Sequence, residues 1–382
     1  VTRTYLDHAS TTPTRPEAKA AIERWSSLPA ADPGRLHAEG RIVRDALEEA
    51  RGHVADLIGT TPREVVFTSG ATEAINAAVF GATRRNPGAP ILLAGVEHSA
   101  VRDASARWAP VEILPVDGTA RLDVEALATR LRSSTLPVPA LVHCQWGNHE
   151  VGTLQPVHEV VELCHAAGVL VHVDAAAACG HVVMDLGELG ADLVSLSAHK
   201  LGGTPGAGAL VVRKGSRIEP LLVGGEQERA RRAGLEALPA FMAFGAAAAA
   251  LAQDGHALLS AEAEQARLHI SRLTSAALEV DQVSVVGPVD VDTRLPYLVC
   301  LGVGGVEAEP VLIGLDRAGV AVHSGSACSS ESIEPSPVLE AMGVDPSHSL
   351  RVSVGWTTTD GDVQAFTRAF PDVVGGLRAL RS

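Results

Sequence analysis

The chain has 382 residues, 46% of them hydrophobic and 20% charged, enough to bury a full core and to divide into two domains. Its formal net charge of −14, without any lysine or arginine block, argues against direct nucleic-acid binding. No apolar signal-peptide core opens the chain and no apolar run reaches membrane-spanning length, so a cytoplasmic, membrane-free protein is expected; five cysteines without a C-x-x-C spacing indicate neither a disulfide framework nor a zinc ribbon.

Short apolar runs at 64–67, 90–94, 111–114, 140–143, 169–173, 192–195 and 208–212 alternate with helical stretches, which predicts a mostly parallel sheet with helices on its faces. Such sheets bind ligands beyond the carboxyl ends of their strands, where Thr68-Ser69-Gly70, Glu97-His98, Asp174 and Ser197 to Lys200 fall. The alanine-rich stretch 238–253 predicts a long, tightly packed helix leaving this domain. Helix 261–278, strands 283–286 and 298–302, helix 309–318 and strand 320–322 then predict a smaller α+β domain. The expected division is 13–252 for the large domain, with 1–12 and 253–382 forming the small one.

Lys200 closes the run Ser195-Leu-Ser-Ala-His-Lys200, and Asp174 ends another strand-like run. An amine and a carboxylate at neighbouring strand ends suit pyridoxal phosphate, whose aldehyde needs the amine and whose pyridine nitrogen must stay protonated to withdraw electrons. Ser197, His199 and the turn Gly202-Gly-Thr-Pro-Gly206 suit its phosphate, as do the N–H groups of Ala71 and Thr72 and the Thr72 hydroxyl at a helix start. His98 is placed to stack on the cofactor and to move protons near neutral pH.

Cys328 lies in His323-Ser-Gly-Ser-Ala-Cys-Ser-Ser330, a small-polar run expected to be a mobile, solvent-reached loop. Cys144, Cys164, Cys179 and Cys300 lie in apolar runs or on helix faces and are expected to behave as small hydrophobes. Arg351, alone on an apolar strand, suits either a substrate carboxylate or a structural ion pair. His172, Asp174, Cys179 and His181 show no recognised ligand spacing, and no metal is expected.

These segments together resemble the cysteine desulfurases of the NifS/IscS type, pyridoxal phosphate enzymes of aminotransferase fold type I. The resemblance rests on Tyr5-Leu-Asp-His-Ala-Ser-Thr-Thr-Pro13, Phe67 to Glu73, Glu97 to Val101, Asn148-His-Glu-Val-Gly152, His172 to Ala175, Ser197 to Lys200, Gly224 to Arg229 and Ser324 to Cys328. It implies an α/β fold with a large, mostly parallel seven-stranded sheet and a smaller α+β domain. It implies a Schiff base at Lys200, the pyridinium partner at Asp174, a stacking acid/base at His98, and cofactor contacts at Ala71, Thr72, Ser197, His199 and His149. L-Cysteine would bind through Arg351 and Asn148, and Cys328 would carry its sulfur to an acceptor protein. A homodimer is implied.

Three positions and one segment depart from the family pattern: His149 replaces an asparagine, Ala177 a glutamine and Leu235 a threonine, while Asp32-Pro-Gly-Arg35 replaces Asn-Pro-Ser-Ser. These suggest a paralogue dedicated to one sulfur-modification pathway, DNA phosphorothioation being favoured. The alternatives are iron–sulfur assembly, tRNA thiolation, or a lyase or aminotransferase that leaves Cys328 idle.

Overall fold

The computed structural model describes residues 3–27, 31–324 and 335–380. In chain order the strands are β1 (Thr4–Tyr5), β2 (Val65–Thr68), β3 (Ile91–Ala94), β4 (Val111–Leu114), β5 (Leu141–Gln145), β6 (Val171–Asp174), β7 (Leu193–Ser197), β8 (Gly208–Val212), β9 (Val283–Val286), β10 (Leu298–Val303), β11 (Val320–Ala321) and β12 (Ser349–Ser353). Seven of them form one sheet in the order β2-β8-β7-β6-β5-β3-β4, with β8 antiparallel to both neighbours and the other pairs parallel. The chain thus has the mixed seven-stranded sheet and the smaller second domain of fold type I.

The central strands are buried along their whole length because helices cover both faces of the sheet. On one face Val66, Ile91, Leu93, Leu141, Leu193 and Leu210 pack with Ile75, Ala78 and Val79 of helix Ala71–Arg85. The opposite face joins the main core, to which Phe67 contributes by stacking on Phe241 with ring centroids 4.6 Å apart.

The alanine-rich segment is helical from Leu238, and its path breaks at Gln253–His256, where Asp254 and His256 take φ of +49° and +67° before a second helical stretch runs to Leu278. Small residues serve close approach: a Cβ on Gly245 would lie 2.6 Å from the Cα of Ala50 on helix Ala38–Leu57. The latter helix also carries Arg51, which pairs with Glu228 at 2.6 Å while Glu228 Oε2 accepts the N–H of Phe67 at 2.8 Å. This buried pair ties segment 226–230 to β2, the strand that leads into Ser69-Gly70. Its carboxylate is satisfied on both sides, as a buried charge requires.

The small domain is built on the antiparallel order β12-β10-β9, with β1 and β11 as a parallel pair beside it. Single bridges Asp7↔Ser353 and His323↔Arg351 join these two units, so the N-terminal segment lies against β12.

β3 stops at Ala94, where its apolar run ends; the N–H of Glu97 bonds the carbonyl of Ala94 and His98 caps the following helix Ser99–Trp108. Conversely β5, β6 and β7 run on through the polar residues Gln145, Asp174 and Ser197, because ladder hydrogen bonds belong to the backbone and do not require apolar side chains.

Candidate active site

A cavity of about 600 Å³ opens at the carboxyl ends of the parallel strands. It is lined by Ala71, Thr72, His98, His149, Asp174, Ser197, His199, Lys200 and Arg351, so the structure gathers nine of the expected site residues from across the sequence. Ala177 also lines it. Asn148 does not: its Oδ1 accepts from the N–H groups of Glu150 and Val151, both at 2.8 Å, and its amide donates to the carbonyl of Val96. Its side chain is fully buried in holding the turn, behind the cavity wall where a substrate contact was expected. Cys328 lies outside the described residues.

Lys200 is delivered by β7 and the single turn Ala198–Lys200. The carbonyl of Lys200 accepts from His181 Nε2 at 3.0 Å, and the His181 ring stacks on Tyr297 with centroids 3.9 Å apart. No side chain among the described residues hydrogen-bonds the Lys200 amine. Burial lowers its pKa, opposed by the charge of Asp174 and reinforced by that of Arg351. A lysine so placed loses its proton more readily than one in water, the state in which it acts as a nucleophile or base.

Asp174 stands at the end of β6. Its Oδ1 accepts from Ser195 Oγ at 2.9 Å and from the Ala176 N–H at 3.1 Å. Oδ2 has no hydrogen bond among the described residues and remains for a ligand. Nearby Glu97 is almost wholly buried; Oε1 accepts the Gln145 N–H at 2.8 Å, and Oε2 has no partner. Burial, with the charge of Asp174, raises its pKa to about 8, so Glu97 is a neutral acid at pH 7.

His98 Nδ1 accepts the N–H of Ala100 at 3.1 Å, which places the proton of the neutral ring on Nε2. Burial, with the neighbouring His149 and Lys200, pushes its pKa down to about 3. In the cofactor-free chain His98 is therefore held as a neutral ring that can donate from Nε2. The His149 ring meets it edge to face at 5.0 Å.

At the other end of the cavity, Gly70 caps helix Ala71–Arg85, whose first-turn N–H groups lack intrahelical acceptors. Gly208 of β8 makes room for this turn: a Cβ there would lie 2.6 Å from Gly70 Cα. Ser197 and His199 complete an anion cradle, His199 being fixed by Thr11 Oγ1 at 3.1 Å.

Arg351 makes the structural ion pair of one reading and faces the cavity that the other requires. It lines the cavity, yet Nη2 donates to Asp7 Oδ1 at 2.8 Å and to Ser10 Oγ at 2.7 Å, while Nη1 donates to the carbonyl of His149 at 2.9 Å. Asp7, Ser195 and His181 went unrecognised as site residues in the sequence. Their partners are strands or segments whose adjacency no local pattern announces.

The remaining departures lie apart. Leu235 is 63% exposed and outside the cavity wall, and Asp32 forms a local turn by accepting the Gly34 N–H at 2.7 Å. Cys144, Cys164, Cys179 and Cys300 are all buried, and burial pushes the last three up to about 12. The small-hydrophobe expectation holds for all four.

An unpartnered amine, a carboxylate oriented from behind and a helix start meet in one cavity, and this donor set fits pyridoxal phosphate at its aldehyde, ring nitrogen and phosphate respectively. Fold and site together define a pyridoxal phosphate enzyme of fold type I. The sequence matches the aminotransferase class-V family over residues 4–366. It is 39% identical to a cysteine desulfurase of Cereibacter sphaeroides, over 99% of this chain and 97% of that protein, and 34% identical to cysteine desulfurase IscS 1 of Archaeoglobus fulgidus, over 98% of each. The solved NifS-like protein from Rickettsia africae superposes with a TM-score of 0.88 at 27% identity, over 98% of this chain and 99% of that one. The chain belongs to the class-V aminotransferase family, in its cysteine desulfurase branch. Among the described residues no helix is long and apolar enough to cross a membrane.

Proposed function

We propose that this chain converts L-cysteine to L-alanine and transfers the sulfur through a persulfide on Cys328 to an acceptor protein. The observation that carries the reading is the convergence of Lys200, Asp174 and Arg351 on one cavity. We assign 13–252 to the cofactor-binding domain, and 1–12 with 253–382 to the domain bearing Cys328.

Lys200 would hold the cofactor aldehyde, Asp174 its ring nitrogen, and Ala71, Thr72, Ser197 and His199 its phosphate, with His98 over the ring and His149 at its phenolic oxygen. Pyridoxal phosphate, when bound, supplies the electron sink that stabilises negative charge at the substrate Cα. Arg351 holds the substrate carboxylate and so fixes the Cα–H bond relative to Lys200. The freed Lys200 amine takes the Cα proton, as its lowered pKa favours. Cys328, as thiolate, attacks the substrate sulfur: an S–S bond forms, the Cβ–S bond breaks, and its electron pair stays with the carbon fragment. Two protonations, at Cβ and Cα, yield alanine. His98 keeps its Nε2–H as a donor near the reacting groups.

The four buried cysteines support Cys328 as carrier, because burial suppresses the thiolate that attack requires. A homodimer is supported by exposed Val223 and Leu235, at 77% and 63%, whose segments are joined by the Ala233 N–H to the Leu222 carbonyl. The substitutions at 149, 177 and 235 favour a dedicated modification pathway, with DNA phosphorothioation as the specific reading; genomic neighbours and capture of the acceptor test it. The activity is tested by counting alanine and sulfide from L-cysteine in the presence of a thiol reductant. Equal yields support the desulfurase. A cofactor-loaded protein producing a keto acid in place of both would assign it to another reaction of the fold.

A further inference from the structure

Arg351 is not an open receptor. It is 5% exposed, and its fork is already engaged by Asp7, Ser10 and the His149 carbonyl. Nε is buried without a partner, leaving one Nη1 hydrogen and a rearranged fork for any ligand. Asp7 is built into this arrangement: Ser10 Oγ donates to Asp7 Oδ1 at 2.9 Å while accepting from Arg351, and the bridge Asp7↔Ser353 holds the segment against β12. Ser10 and Arg351 line the cavity, whereas Asp7 does not, so the acid stands behind the guanidinium with respect to the ligand space.

We propose that Asp7 is an affinity-setting residue, an internal carboxylate that holds Arg351 and opposes the substrate carboxylate at the same guanidinium. The inference rests on the assignment of Arg351 to the substrate carboxylate. Two carboxylates on one cation repel, and each takes part of an attraction that would otherwise go to one ligand. Without Asp7, Arg351 would be a buried cation with only neutral acceptors, a costly state that substrate would relieve and therefore bind too well. Asp7 keeps the guanidinium oriented and paired in the free enzyme and weakens ground-state binding of substrate and of alanine alike. Binding that does not distinguish ground from transition state does nothing for the chemical step. Weakening it also speeds product release.

The test is the cofactor-loaded full chain carrying Asp7→Asn, which keeps an acceptor oxygen for Nη2 and removes the charge. The measurement is the dissociation constant of L-alanine, read from the cofactor absorbance, alongside KM and kcat for L-cysteine. Expected is a roughly tenfold fall in both the L-alanine constant and KM, with kcat falling or holding, and no tightening for ethylamine, which has no carboxylate. Asp7→Glu retains the charge and should not tighten L-alanine. Asp7→Ser replaces the asparagine variant if that one does not fold. An L-alanine constant that rises or stays level in the uncharged variants overturns the proposal and makes Asp7 a simple orienting group. Arg351→Gln separates the underlying reading: if it leaves L-alanine binding intact, the carboxylate is held elsewhere, and the proposal falls with that assignment whatever Asp7 does.

Discussion

Ser195 Oγ donates a 2.9 Å hydrogen bond to Asp174 Oδ1, and the two residues face each other in register on adjacent parallel strands β7 and β6. The hydroxyl therefore aims the carboxylate from within the sheet, and the Ala176 N–H holds the same oxygen. Replacing Ser195 by alanine leaves one oriented contact. With about 1.5–3 kcal/mol for a hydrogen bond to a charged group, affinity for pyridoxal phosphate should fall by roughly tenfold to a hundredfold. Cofactor titration of the apoprotein by absorbance measures this, and unchanged affinity would remove Ser195 from the site.

Gly208 is required by contact, since its backbone is ordinary but its Cα lies beneath the Gly70 turn. Alanine there must displace Gly70 and the start of helix Ala71–Arg85, at a cost of about 1–3 kcal/mol. Gly208→Ala should lower both thermal stability and cofactor affinity. A variant that loses neither would mean that the turn yields freely.

Stability should peak near pH 6.5 in the cofactor-free chain. Burial holds His8, His98, His172 and His181 down to about 4, 3, 4 and 3. As pH falls below about 6.5 the unfolded chain takes up protons at these residues that the folded chain refuses, so stability falls with pH. Glu97 has the opposite sense. Raised from 4.5 to about 8, it keeps in the folded chain a proton that the unfolded chain loses, so its contribution falls as pH rises through that interval. Below about 6.5 four histidines outweigh one glutamate. Melting temperature against pH should therefore show a steep acid limb and a shallow alkaline one, and Glu97→Gln should flatten the latter; a wild-type curve that climbs through pH 8 contradicts a protonated Glu97.

Cys328→Ala should retain the cofactor absorbance, because none of the groups assigned to the cofactor is altered, and should form no persulfide. Labelling of persulfide sulfur after a single exposure to L-cysteine reads this directly. Full turnover by the variant would assign sulfur transfer to another route and return Cys328 to the surface thiols.

Much of the site was legible because its parts are local. Lys200 and Asp174 follow apolar runs, and strand ends in a parallel sheet point to one edge, so an amine and a carboxylate at two such ends are brought together by the topology alone. The helix start at Ala71 and Thr72 was likewise written in a strand–glycine–helix sequence. The polar ends of β5, β6 and β7 were cut short because apolar composition, not ladder bonding, marked the strands.

By itself the sequence determined the alternating elements of a sheet covered by helices, the place of Lys200 and Asp174 beyond strand ends, and the burial of four cysteines, since periodicity and strand ends are properties of neighbouring residues. Only the tertiary structure decided that Asn148 turns inward, that His98 is buried and held neutral, and that Arg351 meets Asp7, 344 positions away. Those outcomes depend on which segments pack together and how much water they exclude. Desolvation and charge pairing are properties of the assembled chain.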